Sequence, residues 1–314
     1  MKTFFDYIEP SGKLDNGKIT KREKIYQGMN GKYVERFYIE NGQSYIFKPL
    51  TNTDQLGKEI WAQERILLNL PPFYPKILAH STSNDPEKSW IILEDMGPLL
   101  HVFEENTLAE VVKLMVQWHS FPVGELAEIP VKGPKPGIGH ISKAVIKKKE
   151  ETLELLKGYY ISEDLLHKFF TKLEKTVFND EMVLSHGDLH LGNYAKTKTS
   201  IVVLDWEHVH LNYRHWDLYH LIDMSHPVFP KNPSSELRED ILNLYCKLAD
   251  QQGAAIEQES FFKEYFLFSS VFSIWMILLI SSDLLMENSK WPKNQLHSQL
   301  NESLISLAQC LNKI

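Results

Sequence analysis

The sequence predicts an α+β chain in two lobes: a small amino-terminal lobe on an antiparallel sheet and a larger, mainly helical carboxy-terminal lobe. Three observations lead there. At 314 residues the chain exceeds the size at which one hydrophobic core usually suffices. Between residues 21 and 50, short apolar and polar steps alternate and are broken by Gly28, Gly31 and Gly42, the pattern of strands joined by tight turns. From Leu108 onward, apolar residues recur at helical spacing over longer stretches.

In the amino-terminal lobe, Gln27, Gly28, Met29, Asn30 and Gly31 form the turn between the first two strands. Residues 44–49 form a strand that carries Lys48 between apolar neighbours, and residues 55–68 have helical spacing with Leu56, Ile60, Leu67 and Leu68 on one side. Residues 89–97 read as a buried strand leaving into a glycine-containing connection, so the boundary falls near Asp95, giving lobes of 1–95 and 96–314. In the larger lobe, residues 108–119 form an amphipathic helix ending Trp118-His119-Ser120. The glycine- and proline-rich run 132–139 is a loop, and residues 142–157 are a charged helical region. Residues 266–285 are long and apolar enough to raise a membrane span, but five serines and Asp283 favour a buried helix.

The chemistry concentrates in Ser185-His186-Gly187-Asp188-Leu189-His190-Leu191-Gly192-Asn193, followed twelve residues later by Asp205-Trp206-Glu207. Phosphoryl transfer needs a carboxylate that orients the acceptor hydroxyl and oxygen ligands that hold magnesium against the phosphates. Asp188 offers the first; Asn193 and Asp205 offer the second. The runs 182–184 and 201–204 before the two aspartates read as buried strands that deliver them to a sheet edge. Trp206 is expected to pack in the core. Gly187 and Gly192 are expected to serve tight turns.

The spacing from Asp188 to Asn193 is that of a protein-kinase catalytic loop, with His-Gly-Asp in place of His-Arg-Asp and Asp-Trp-Glu in place of Asp-Phe-Gly. The segment resembles the aminoglycoside phosphotransferase and choline kinase superfamily, small-molecule kinases of a two-lobed protein-kinase-like fold. That resemblance implies ATP and magnesium as cofactors, Asp188 as catalytic base and Asn193 with Asp205 as metal ligands. It also implies that Lys48 binds the nucleotide phosphates, held by Glu64 with Glu59 as the other candidate. Gly28 and Gly31 would cover the phosphates, and the main chain of Glu94 and Met96 would contact the base.

The order Asp205-x-Glu207-x4-Asn212-Tyr213-Arg214-x2-Asp217 is similar to the corresponding choline and ethanolamine kinase segment, with His208 standing where those enzymes carry tyrosine. Glu207 and Asp217 are the acidic candidates for the acceptor site. Trp216, Tyr219, Trp275 and Trp291 could cage a quaternary amine, although core packing is the commoner role of such residues. The helix expected at 216–222 follows Asp205 too closely for a peptide-binding activation segment, which favours a small-molecule acceptor over a protein.

A net charge of −7 argues against a nucleic-acid partner and is compatible with a cationic acceptor. The first residues meet Asp6 too soon for the apolar core of a signal peptide, and Cys246 and Cys310 are far apart, so a reduced, cytoplasmic protein without a membrane partner is expected. Histidines crowd residues 186–226, yet no cysteine lies near enough in sequence to favour zinc. The rival reading is a catalytically silent, kinase-like structural or binding protein of the spore-coat type.

Overall fold

The computed structural model describes residues 3–314 except 29, 30, 51, 84, 126–128, 160, 179 and 180, so Met29 and Asn30 of the predicted phosphate-covering turn lie outside the described residues. In chain order the regular elements are β1 (Lys21–Gln27), β2 (Tyr33–Tyr38), β3 (Ser44–Pro49), α1 (Lys58–Arg65), β4 (Ile77–Ser81), β5 (Trp90–Glu94), α2 (Glu105–His119), α3 (Ile138–Lys147), α4 (Lys149–Lys157) and α5 (Glu163–Leu173). They continue as β6 (Met182–Ser185), β7 (Tyr194–Lys196), β8 (Ile201–Val203), β9 (His210–Tyr213), α6 (Arg214–Ile222), α7 (Ser235–Gln251), α8 (Gln258–Leu285) and α9 (Lys293–Leu311). The chain is an α+β protein that divides into two compact units. One comprises Met1–Leu100 with Ala195–His208, the other His101–Tyr194 with Val209–Ile314.

The first unit is built on a five-stranded antiparallel sheet in the order β1-β2-β3-β5-β4. Trp90, Ile91, Ile92 and Leu93 are all buried, as a strand covered on both faces requires. Their alternation sends Trp90 and Ile92 to a cluster with Phe37 and Phe47, and Ile91 and Leu93 to one with Leu50 and Ile60. Edge strand β1 is charged and mostly exposed, which discourages pairing with another chain. Helix α1 is shorter than the 55–68 expected from spacing, because Gly57 takes a φ of 80° that no right-handed helix can include. Residues 195–208 belong to this unit: Lys196 and Leu100 exchange backbone hydrogen bonds, and Val203 N donates to Phe73 O. A single boundary near Asp95 therefore differs from the observed division, which returns Asp205 and Glu207 to the unit of Lys48.

In the second unit β6 pairs antiparallel with β9, setting Ser185 opposite His210. The main core gathers side chains from α3, α5, α6, α8 and α9, including Phe169, Trp216, Phe268, Phe272 and Leu307. Helix α8 is long and apolar enough to cross a membrane by length and composition, yet 67% of its most apolar window is buried inside the protein. The charged region 142–157 is two helices broken at Lys148. Trp216 and Tyr219 are fully buried, and Trp275 and Trp291 pack against the same core, so this set is core rather than an open cage.

Candidate active site

In the first unit, β3 carries Lys48 opposite Ile91 of β5, and its ammonium meets three carboxylates. Lys48 Nζ lies 2.7 Å from Glu59 Oε2, 2.6 Å from Asp205 Oδ1 and 3.9 Å from Glu207 Oε2. Burial would lower the ammonium, but Asp205, Glu59 and Glu207 together hold it well above its usual value. Burial raises the Glu59 carboxyl against the pull of Lys48, and pushes Glu207 up to about 7 with Asp205 adding to the effect. One cation shared among three carboxylates cannot keep all of them at an ordinary carboxylate pKa. The glutamate that holds Lys48 is thus Glu59, and the expectation of Glu64 is corrected: Glu64 lies exposed on another side of α1.

Asp205 follows the buried β8 and adopts φ 63°, left-handed backbone that a non-glycine residue rarely occupies. Such a conformation persists only where its surroundings enforce it, and it is common at functional sites. Trp206 behind it is buried against Phe73 and donates from Nε1 to Val203 O. Carboxylate oxygens of Glu59, Asp205 and Glu207 come within 4.8 Å of one another, a spacing that could hold a cation, and the Lys48 ammonium already lies against all three.

The predicted phosphate-covering turn is a tight hairpin: Gly28 N donates to Lys32 O, and Gly31 N to Gly28 O with Gly31 at φ 81°. At the other end of the sheet, the Glu94 amide donates to Lys76 O, and a clamp not foreseen from sequence fixes residues 95–97 beside Met96. Arg36 grips Asp95 through Nε at 2.6 Å and Nη2 at 3.1 Å and also donates to Gly97 O; Ser44 Oγ donates to Asp95 Oδ2 at 2.7 Å.

In the second unit, β6 ends at Ser185 and the chain turns through Gly187 at φ 87° into Asp188. The loop is stitched from within. His190 N donates to Asp188 O at 2.9 Å, Asn193 Nδ2 donates to the same oxygen at 2.7 Å, and Trp216 Nε1 holds Gly187 O at 2.9 Å. Because the Asn193 amide nitrogen is committed to Asp188 O, its carbonyl oxygen is turned the other way.

Asp188 itself is met by Lys135 Nζ at 2.5 Å from Oδ1, His190 Nε2 at 3.7 Å from Oδ2 and His220 Nε2 at 3.9 Å from Oδ1. Burial alone would raise this carboxyl, but Lys135, aided by His190 and His220, holds it far below the usual carboxylate range. His190 is pushed down to about 3 by burial against the pull of Asp188, so it is neutral at pH 7. Its Nδ1 accepts from Gly192 N, leaving the proton on the Nε2 that faces Asp188. Neither Lys135 nor His220 was legible as part of this cluster: one comes from the loop before α3, the other from a helix that reads as core.

Asp217 corrects a second expectation. It is fully buried, and its oxygens are taken up by the loop that it anchors. Its Oδ1 accepts from Ser185 Oγ at 2.7 Å and Gly187 N at 3.2 Å, and its Oδ2 from His186 N at 2.8 Å, Trp118 Nε1 at 3.0 Å and His119 Nε2 at 3.2 Å. Burial would raise it, but the His119 bond leads a set of donors that keeps it well below the usual range. His119, bonded also to the Tyr245 hydroxyl at 2.7 Å, is structural.

Residues 92–256, just over half of the chain, match the model of the phosphotransferase enzyme family known as APH. The chain belongs to that family. A search of curated proteins by sequence finds no match. Solved structures of the same fold include the choline kinase of Cryptosporidium parvum Iowa II, at TM-score 0.54 and 18% identity over 96% of this chain and 92% of that one. The Plasmodium vivax ethanolamine kinase matches at TM-score 0.59 and 17% identity over 94% and 83%, and aminoglycoside 2'-phosphotransferase-IIIa in complex with GDP at 0.58 and 13% over 92% and 94%. The family match makes this chain a phosphotransferase by family, and the solved structures show that it shares their fold.

Proposed function

We propose that the protein transfers the terminal phosphoryl group of ATP to a hydroxyl of a small molecule, with Asp188 as the base. The observation that carries this reading is the stitched loop of the second unit, which presents Asp188 as an ionised carboxylate 20% exposed at its side chain, while Asp217 fixes the backbone from behind. The acceptor oxygen would form a bond to the terminal phosphorus as the bond from that phosphorus to the bridging oxygen breaks. The hydroxyl proton passes to Asp188 and ADP leaves.

Lys48, held by Glu59, is the group for the nucleotide phosphates, with Gly28 and Gly31 in the hairpin over them and the backbone near Glu94 and Met96 at the base. Asp205 in the first unit and Asn193 in the second each carry an oxygen ligand of the kind that suits a small hard cation such as magnesium. Magnesium, when bound, would neutralise charge on the phosphates. Glu207, with its carboxyl pushed up to about 7, is the remaining acidic candidate near these phosphates.

Relatives of this fold are named for choline, ethanolamine and aminoglycosides, so the acceptor class proposed is an amino-alcohol or sugar-type hydroxyl compound. The test is ADP release with magnesium and ATP across such acceptors, alongside calorimetric ATP binding by wild type and Lys48→Ala. Acceptor-dependent release together with ATP binding weakened by the substitution supports the reading. A protein that binds no nucleotide would return the case to a silent binding protein.

A further inference from the structure

We propose that Lys135 is a positioning residue for phosphoryl transfer, delivered by a docked strap, residues 130–138, that ties one oxygen of Asp188 in place. This rests on the reading of Asp188 as the base and assigns a task to a loop which that reading leaves idle.

The strap is fastened along its length. Leu211 N of β9 donates to Pro130 O at 2.8 Å, and Ile138 at the far end is buried in the main core where α3 begins. Between them Gly133 lies so close to the His210 ring that a Cβ there would sit 2.4 Å from Cε1 and 2.5 Å from Nε2. His210 cannot retreat: it is 2% exposed, its Nε2 is 2.8 Å from Asn212 Nδ2, and its backbone pairs with Ser185 at the root of the catalytic loop. Pro134 and Pro136 flank Lys135 and fix φ on either side, so little chain freedom is left to lose when the ammonium meets its partner.

This is unlike an ordinary surface pair, in which two flexible side chains meet in water. The Lys135 side chain is 19% exposed and its Nζ is 2.5 Å from Asp188 Oδ1. With Oδ1 tied, the carboxylate cannot turn about its own axis, and Oδ2, with His190 Nε2 at 3.7 Å, keeps one direction for an incoming hydroxyl. A displacement of about 1 Å at such a centre costs on the order of 100-fold in rate.

The experiment measures magnesium-dependent ADP release with water as acceptor, ATP affinity by calorimetry and Tm for wild type, Lys135→Met, Lys135→Arg, Gly133→Ala and the Lys135→Met/Gly133→Ala pair. Lys135→Met is expected to lower kcat about 10- to 100-fold, with KM and Kd for ATP unchanged, and Lys135→Arg to recover part of the loss. Gly133→Ala, which lifts the strap, should reproduce the loss and add nothing to Lys135→Met. Wild-type kcat in Lys135→Met, or a kcat that falls only in step with Tm and ATP affinity, overturns the proposal while the phosphotransferase reading stands. A wild-type protein that binds no ATP sinks both.

Discussion

Replacing Asp217 by Asn keeps the size of the side chain and removes its charge, at a position where five donors converge on two oxygens. Whichever way the amide turns, its NH2 faces donors. Turned to the Oδ2 side it opposes His186 N, Trp118 Nε1 and His119 Nε2; turned to the Oδ1 side it opposes Gly187 N and Ser185 Oγ. The second is the milder choice, because the Ser185 hydroxyl can rotate and Gly187 N also reaches Ser185 Oγ at 3.1 Å. Breaking a buried charged group away from its donors costs about 3–5 kcal/mol, which for a unit of this size lowers Tm by about 6–20 °C. The carboxyl is held below its usual range when folded, so its stabilisation is complete above the unfolded carboxylate pKa and is lost as pH falls through the lower folded value. The Tm gap between wild type and Asp217→Asn, measured by scanning calorimetry at pH 7 and again near pH 4, is therefore largest at pH 7. Since His186 and Gly187 carry Asp188, kcat should fall about 100-fold as well. A variant that melts with the wild type at pH 7 and keeps its rate would refute the anchoring role.

Other consequences follow from the same geometry. Glu59→Gln should weaken ATP binding about tenfold or more, while Glu64→Gln leaves it unchanged; equal effects in calorimetry would return Glu64 to the site. Arg238→Met removes the cation that grips Asp223 at 2.7 Å inside a fully buried cluster with Tyr265 and Ser306, and should cost about 3–5 kcal/mol in urea unfolding. Lys231, buried and bonded to His220 O and Leu221 O, is pushed down by burial to about 7, so between pH 7 and its ordinary 10.5 the unfolded chain binds a proton that the folded chain lacks. Wild type should therefore gain stability relative to Lys231→Met between pH 7 and pH 9, and an unchanged difference would show that Lys231 stays charged.

The two aspartates and Asn193 were legible because their spacing is local and each aspartate follows a strand, β6 or β8, whose apolar run is plain in the sequence. Lys48 was legible because a lysine between apolar neighbours, Phe47 and Pro49, at the end of a strand is unusual. The choice between Glu59 and Glu64 was not: five residues turn a helix by about 140°, so an error in where α1 begins exchanges the buried face for the exposed one. Gly57 was the signal for that start, since a residue at φ 80° closes the helix at Lys58. Asp217 was read as an acceptor-site acid because its type and spacing match; that it accepts from Trp118 and His119, about a hundred residues earlier, is a long-range fact. Lys135 lay in a stretch recognisable only as loop, 53 residues from the carboxylate it meets. The Arg36 clamp on Asp95 crosses 59 residues and was equally hidden.

Phosphorus NMR of the protein with ATP, magnesium and a mixture of hydroxyl-bearing acceptors tests most directly whether Asp188 serves as the base of phosphoryl transfer. The expected result is a new phosphate monoester resonance growing in step with ADP, present with wild type and absent with Asp188→Asn. ADP and inorganic phosphate alone, or an ester formed equally well by Asp188→Asn, would contradict that role.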